Sequence, residues 1–330
     1  MKQQVAGEET VNICADFAAQ LEEVIRRHSH SQVPLISEIT RYLLGEGKRI
    51  RARLAWLVGN LFVAQPTEVQ RKQLLDLGCA IEFIHLATLM HDDVIDQSLL
   101  RRGQPAVHVR WGVSEAVLVG DFVYSRAFEL LVALENASVL ALTARATNQL
   151  AEGEVEQLVD AGRCDRSEAE YYRVIEKKTG ALFGCACACA GLLGGANGQL
   201  GDRLYQMGCG IGIAFQIVDD LIDYTVEADV MGKNPGDDYR EGKYTLPLIL
   251  LLQRADAKQR ERIAELMAHP DDAHFAELVK LMQDYQVSAS CRQQVEQQFR
   301  PALALLSSLP PSQVTVQLHF EMERLLQAIQ

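Results

Sequence analysis

Apolar residues recur at three- and four-residue spacing along nearly the whole chain, a period that predicts helix after helix. The pattern gives helices over 11–28, from Pro34 to 44, over 53–64 and over 69–90. It resumes over 114–134, with Ser114 as cap, then over 138–159, 167–193 and 197–226. A buried helix runs over 246–251, and three or four amphipathic helices fill the rest to Gln330. Glycine and proline mark the breaks: Gly45, Gly47, Pro66, and then Gly103, Pro105 and Gly112 in a stretch after Asp96 that reads as an irregular polar loop. No linker or shift in composition divides the chain. Residues 1–330 are therefore expected to form one all-α domain, a large bundle of about a dozen helices.

Two of the apolar runs end in the same acidic pattern. The stretch AIEFIHLATLMHDDVIDQSLLRR carries Asp92, Asp93 and Asp96, with Arg101 and Arg102 just beyond. The run GIGIAFQIVDD leads into Asp219, Asp220 and Asp223. Asp92 and Asp96 share one helix face, as do Asp219 and Asp223, while Asp93 and Asp220 sit about 100° round. Like charges at that spacing destabilise an isolated helix by roughly 0.2–0.5 kcal/mol. One such cluster reads as a solvated helix end. Two identical ones, each closing an apolar helix, point to divalent cations. Hard carboxylate oxygens suit Mg²⁺, which keeps several waters and bridges protein acids to substrate phosphates.

The cations are informative because they are outnumbered, 32 against 44 acids, for a formal net charge of −12. That balance argues against a nucleic-acid-binding surface. Lys48, Arg49 and Arg51 crowd a glycine-marked turn at a helix start, where backbone and dipole favour an anion. Arg101 and Arg102 either neutralise the neighbouring aspartates or clamp phosphate as bidentate forks. Lys178 and Thr179 precede Gly180 inside a helix, and Gln216 lies one turn before Asp219 and Asp220. His85, two turns before Asp92, is either a core histidine or a ligand contact. Lys233 and Lys243 stand in a glycine-rich loop after the second cluster.

No apolar run reaches the roughly 18 residues of a membrane span, and the polar start MKQQVAGEETVN lacks a signal-peptide core. Cys185, Cys187 and Cys189 alternate with alanine, which reads as small-residue helix packing and not as a metal site. Unpaired cysteines fit a reducing cytoplasm.

Taken together, these residues resemble the trans-type polyprenyl diphosphate synthases, nearest in appearance to the octaprenyl-type bacterial enzymes. The resemblance runs from about Pro34 to Leu252. It includes GKRIR at 47–51, FIHLATLMHDDVID at 83–96, RRG at 101–103 and VGDF at 119–122. It continues with KT at 178–179, FQIVDDLID at 215–223, GK at 232–233 and GKYTLP at 242–247. It implies a helical bundle around a central cavity and an enzyme joining isopentenyl diphosphate to an allylic diphosphate. By resemblance, Asp92, Asp93, Asp96, Asp219, Asp220 and Asp223 hold about three Mg²⁺ ions on the allylic diphosphate. Arg101, Lys178, Lys233 and Lys243 resemble its cationic contacts, and Lys48, Arg51, His85 and Arg102 the isopentenyl diphosphate site. Lys178, Thr179 and Gln216 are similar to the catalytic groups, the last two facing the nascent carbocation. A homodimer is expected, and an apolar product passed to a membrane.

The family also implies a rule for product length, set by bulk four and five positions before the first aspartate. Thr88 and Ala87 stand there and are small, so a growing tail is expected to pass toward Phe83 and Ile84, about 5.4 Å deeper. The expected product exceeds C20, with C40 as the single best value. Glu46 and Ala52 depart from the glycine and proline of many relatives, and the C-terminus lacks their basic end. A class I terpene cyclase remains an alternative, although its second metal motif normally carries Asn, Ser or Glu. So does a non-catalytic or partner-dependent subunit of a heteromeric synthase, although such subunits usually lose their acid motifs.

Overall fold

A computed structural model of the chain describes residues 15–45, 47–63, 66–160, 162–224 and 236–328. Among them are seventeen α-helices and one two-stranded hairpin, an all-α fold with more and shorter helices than the dozen expected. The chain opens with α1 (Ala15–His28), α2 (Pro34–Leu43), α3 (Ile50–Gly59) and α4 (Glu68–Ile95). At 28 residues, α4 is about 42 Å long. A capping box fixes its start: the Gln70 backbone N–H donates to Thr67 Oγ1, and the Thr67 N–H donates back to Gln70 Oε1. Contrary to the sequence expectation, α4 is long and apolar enough to cross a membrane, but 78% of its apolar window is buried inside the protein. It serves as a core helix of the bundle.

The stretch expected to be an irregular loop is instead a hairpin, β1 (Leu100–Arg101) and β2 (Gln104–Pro105), followed by α5 (Val107–Arg110). Its two-residue turn is Arg102 and Gly103, at φ 53° and 73°. Positive φ at both turn positions matches the twist of paired strands, and glycine takes one of them without strain. Next come α6 (Val113–Ala133) and α7 (Ala137–Asp160). The cap position of α6 is Gly112, so Ser114, expected there, is the helix's second residue. The helix expected over 167–193 is broken into α8 (Glu168–Ile175), a π-helical turn (Glu176–Gly180) and α9 (Ala181–Leu193). Then α10 (Gly198–Ile222), capped by Asn197, ends in the second acid cluster. After α11 (Asp237–Arg240) and α12 (Leu246–Arg254), five helices replace the expected three or four: α13 (Ala257–Ala268), α14 (Asp272–Asp284), α15 (Val287–Gln298), α16 (Arg300–Ser307) and α17 (Gln313–Gln327).

The core is built where α9 lies against α10, α3 and α7, and α4 against α6 and α3. Glycines bring α9 and α10 close. A Cβ on Gly208 would fall 2.4 Å from Phe183 O, and one on Gly184 2.9 Å from Tyr205 O. The alternating cysteines belong to the same packing. Cys185 and Cys189 meet at 3.7 Å beside Thr143 of α7, while Cys187 turns toward Gly208. All seven described cysteines are free thiols. Full burial of a side chain such as Phe183 contributes about 1.5–3 kcal/mol, so this seam holds the acid-bearing end of α10 firmly against its neighbours.

Candidate active site

The two acid clusters, the basic hairpin and the π turn converge on a cavity of about 810 Å³. On one wall, the last turn of α4 presents Asp92 and Asp96 to the cavity. Asp93, about 100° round the helix, is buried and turned to Arg101. Arg101 Nε donates to both of its oxygens, at 3.0 and 3.2 Å, and Nη2 makes a further short contact. Burial opposes the Arg101 charge, but Asp93 holds it above the ordinary arginine range. Asp96 accepts from Lys243 Nζ at 3.2 Å, and the same ammonium pairs with Glu241 at 2.6 Å. Burial works against that ammonium too, yet Asp238, Asp96 and Glu241 keep it above the usual lysine value. Asp92 is placed differently: burial and the neighbouring Glu154 push its carboxyl up to about 7. It is a carboxylate site short of positive charge.

The opposite wall is the end of α10, where Asp219 and Asp220 line the cavity. Buried Asp220 accepts from Tyr171 Oη and from Gln216 Nε2, both at 2.7 Å. Gln216 Oε1 in turn accepts from Thr179 Oγ1 at 2.9 Å. Thr179, Gln216 and Asp220 are thus one chain of hydrogen bonds. Asp223 is buried away from the cavity lining. It accepts from the backbone N–H groups of Asp237 and Asp238 at 3.1 and 3.0 Å and so fastens the start of α11.

The π turn separates two adjacent lysines, a local widening of the helix that is frequent at functional sites. Lys177 goes outward to Glu152 and Glu156, at 3.2 and 2.6 Å. Lys178 lines the cavity, with Glu154 Oε2 at 2.6 Å and Gln157 Oε1 at 2.9 Å. Glu154 and Gln157 were not anticipated from the sequence. The signal was Gly153 beside them: a Cβ there would sit 2.9 Å from Lys178 Cγ, so glycine lets α7 approach the lysine pair.

A third group lines the mouth: Lys48, Arg51, His85 and Arg102. Arg51 stacks its guanidinium 4.5 Å from the centre of the Phe183 ring, and burial lowers it to about 10. Burial, reinforced by Arg51, Arg102, Arg101 and Arg49, holds His85 well below the usual histidine value, so its ring is neutral. Arg49, the middle cation of the cluster, ties the fold together by donating to Glu22 Oε1 at 2.9 Å and Leu44 O at 2.7 Å. Ala52 keeps the N–H that a proline would lack and donates it to buried Glu82 at 3.2 Å. Lys233 and Glu46 lie outside the described residues.

The apolar part of the cavity is lined by Thr88, Leu89, Leu150, Phe183 and Phe215. Of the four residues expected to govern chain length, Thr88 lines it, whereas Ala87, Phe83 and Ile84 are buried behind it. Among the described residues, no three acids, histidines or cysteines converge as a preformed metal cluster. The donor set still suits hard divalent ions. Carboxylates stand on two walls, burial and Glu154 outweigh Lys178 and Arg101 at Asp92, and lysines and arginines line the same cavity.

The chain matches the model of the Polyprenyl synthetase family over residues 33–284. It is 36% identical over 300 residues to the octaprenyl diphosphate synthase of Escherichia coli strain K12, spanning 90% of this chain and 91% of that one. The all-trans-nonaprenyl-diphosphate synthase (geranyl-diphosphate specific) of Rhodobacter capsulatus is likewise 36% identical, over 301 residues and 91% of each chain. A crystal structure of the polyprenyl synthase from Caulobacter crescentus CB15, complexed with calcium and isoprenyl diphosphate, superposes with a TM-score of 0.88 at 32% identity and 99% coverage of both chains. With its two aspartate clusters facing one cavity at the end of a helical bundle, this chain belongs to the polyprenyl synthetase family and is one of its prenyltransferases.

Proposed function

We propose that this chain is a Mg²⁺-dependent synthase that condenses isopentenyl diphosphate with an allylic diphosphate to give a longer all-trans polyprenyl diphosphate. The observation that carries this reading is the meeting of two aspartate clusters and two separate sets of cations around one partly apolar cavity. Asp92, Asp93, Asp96, Asp219, Asp220 and Asp223 form the metal-binding set, with Asp92, Asp96 and Asp219 as the direct donors. About three Mg²⁺ ions, when bound, neutralise the charge that develops on the leaving diphosphate. Arg101, Lys178 and Lys243 take the same diphosphate, exchanging their carboxylate partners for it, and Lys233 joins them. Lys48, Arg51 and Arg102 hold isopentenyl diphosphate, and neutral His85 adds a hydrogen bond without adding charge. Thr179 and Gln216 turn their oxygens toward the allylic carbon as its bond to oxygen breaks. Phe183, Phe215, Leu89 and Leu150 keep water, the competing nucleophile, away from the cation. The isopentenyl double bond then attacks, and a proton leaves to the departed diphosphate.

The product is longer than C20, with C40 as the expected length. This reading rests on small Thr88 and Ala87 beneath the first cluster. Substituting Ala87→Phe should shorten the products, as read by chromatography of the extracted chains; an unchanged distribution would remove Ala87 from the tail's path. Two copies pair through exposed apolar side chains on α6 and α7, among them Leu118 at 66% and Val159 at 75% exposure. The enzyme works in the cytoplasm and passes its product to a membrane.

The test supplies purified protein with Mg²⁺, labelled isopentenyl diphosphate and, separately, C5, C10, C15 and C20 allylic primers. Label should enter organic-extractable product, stop on addition of a chelator and resume with Mg²⁺. Absence of incorporation with every primer contradicts the reading.

A further inference from the structure

One cation in the cavity wall has neither a place in the scheme above nor, among the described residues, a carboxylate partner. Arg166, in the segment leading into α8, lines the cavity beside Tyr171, Lys243 and Tyr244. Its Nε and Nη2 are buried and, among the described residues, have no hydrogen-bond partner. Nη1 reaches only Tyr244 O, at 3.5 Å, and the guanidinium carbon lies 5.7 Å from the centre of the Tyr171 ring.

The nearby acids are taken by other groups. Arg163 pairs with Asp160 at 2.9 Å, Asp165 at 3.1 Å and Glu170 at 3.2 Å. Asp220 accepts from Tyr171 and Gln216. Burial accordingly holds the Arg166 guanidinium below the ordinary arginine range. A buried guanidinium with unmade hydrogen bonds is a destabilising arrangement. It persists here in the wall of a cavity where Arg101, Lys178 and Lys243 are paired to carboxylates and Arg51 is stacked on a ring.

We infer that Arg166 is a further substrate-binding residue, a guanidinium that grips the diphosphate group from the second-cluster wall, beside Tyr171. The inference rests on the reaction proposed above, because that reaction sets a multiply charged anion in this part of the cavity. A guanidinium offers donors only, so its ligand is an anion. Two adjacent unpartnered nitrogens, Nε and Nη2, are the edge that binds phosphate oxygens in a bidentate way once the side chain turns them from their buried position toward the cavity. Lys48, Arg51 and Arg102 belong to the other subsite, so the effect should fall on the allylic substrate and on inorganic diphosphate, leaving isopentenyl diphosphate unaffected.

The test compares wild type with Arg166→Met, Arg166→Gln and Arg166→Lys. Calorimetry with inorganic diphosphate and Mg²⁺ gives affinity without turnover, steady-state assays give KM for each substrate, and melting of the ligand-free proteins reports the fold. The expected result is about tenfold weaker diphosphate binding in the Met and Gln variants, equivalent to about 1.4 kcal/mol. KM for the allylic substrate should rise by a similar factor with KM for isopentenyl diphosphate unchanged. The ligand-free melting temperature should hold or rise, and Lys should restore part of the binding. Equal diphosphate affinity in wild type and variants overturns the inference and leaves the proposed reaction standing. A fall in ligand-free melting temperature with both KM values shifted alike overturns it in favour of a structural arginine. A wild-type chain that incorporates no isopentenyl units overturns the proposed reaction and this inference with it.

Discussion

The two acid clusters share one sequence pattern and meet different groups among the described residues. At the end of α4, Asp93 and Asp96 are neutralised by full charges: Arg101 from the hairpin and Lys243, 147 residues further along the chain. At the end of α10, the donors that the described residues supply to Asp220 and Asp223 include neutral ones: the Tyr171 hydroxyl, the Gln216 amide and two backbone N–H groups. Ion pairs between carboxylates and cations can be traded for ion pairs with a diphosphate, since the cations are then matched by the incoming anion. Hydrogen bonds from neutral groups leave the carboxylate charge in place and fix its direction. The α4 wall is therefore built to exchange partners, while the Tyr171, Gln216 and α11 backbone donors fix the direction of the α10 carboxylates. The middle acid differs most: Asp93 is locked to an arginine, whereas Asp220 ends a hydrogen-bond chain that passes through Gln216 to Thr179.

The largest expected effect removes the proposed metal donor on either wall. Asp92→Asn and Asp219→Asn should each lower turnover by about a thousandfold, the size of losing several kcal/mol of leaving-group stabilisation. Steady-state rates at saturating Mg²⁺ check this, and a wild-type rate in either variant would break the symmetry of the two donors. A smaller effect should follow Tyr171→Phe, which takes one donor from Asp220 and leaves the ring in place. About tenfold in turnover is expected, with Mg²⁺ dependence shifted to higher concentration. If the neutral wiring of the second wall does not matter, both will be unchanged. The smallest effect is structural. Asp223→Ala removes the cap on α11 and should lower stability by about 1 kcal/mol in denaturant unfolding.

Much of this was legible in the sequence because it is local. The 3.6-residue period gave α4 and α10 and put both acid clusters at helix ends facing a common chemistry. The small-residue pattern around Cys185 announced the close packing of α9 against α10. Other features depend on what lies across the cavity and leave no local trace. That Asp93 and Asp223 turn away from the lining is set by Arg101 and by the α11 backbone, each placed by a separate element. The π turn at Glu176–Gly180 was invisible because its residues read as ordinary helix; Gly180, whose Cβ would meet Cys209 Sγ at 2.8 Å, marks the tertiary contact beside it. The hairpin was hidden by its brevity, two residues per strand, although the RG pair at its turn carried the signal. Arg166 belongs to no motif and gains meaning only from the acids that pair with Arg163.

The central claim is that these two differently wired walls act on one leaving group. A double-mutant comparison tests it most directly: single-turnover rates of wild type, Asp92→Asn, Asp219→Asn and the double variant, with saturating substrates and Mg²⁺. Groups that act as a unit lose their joint contribution when either is removed. The account predicts a double variant little slower than the slower single one. Rate losses that multiply, about a millionfold if each single loss is about a thousandfold, would mean that the two clusters contribute independently and would contradict it.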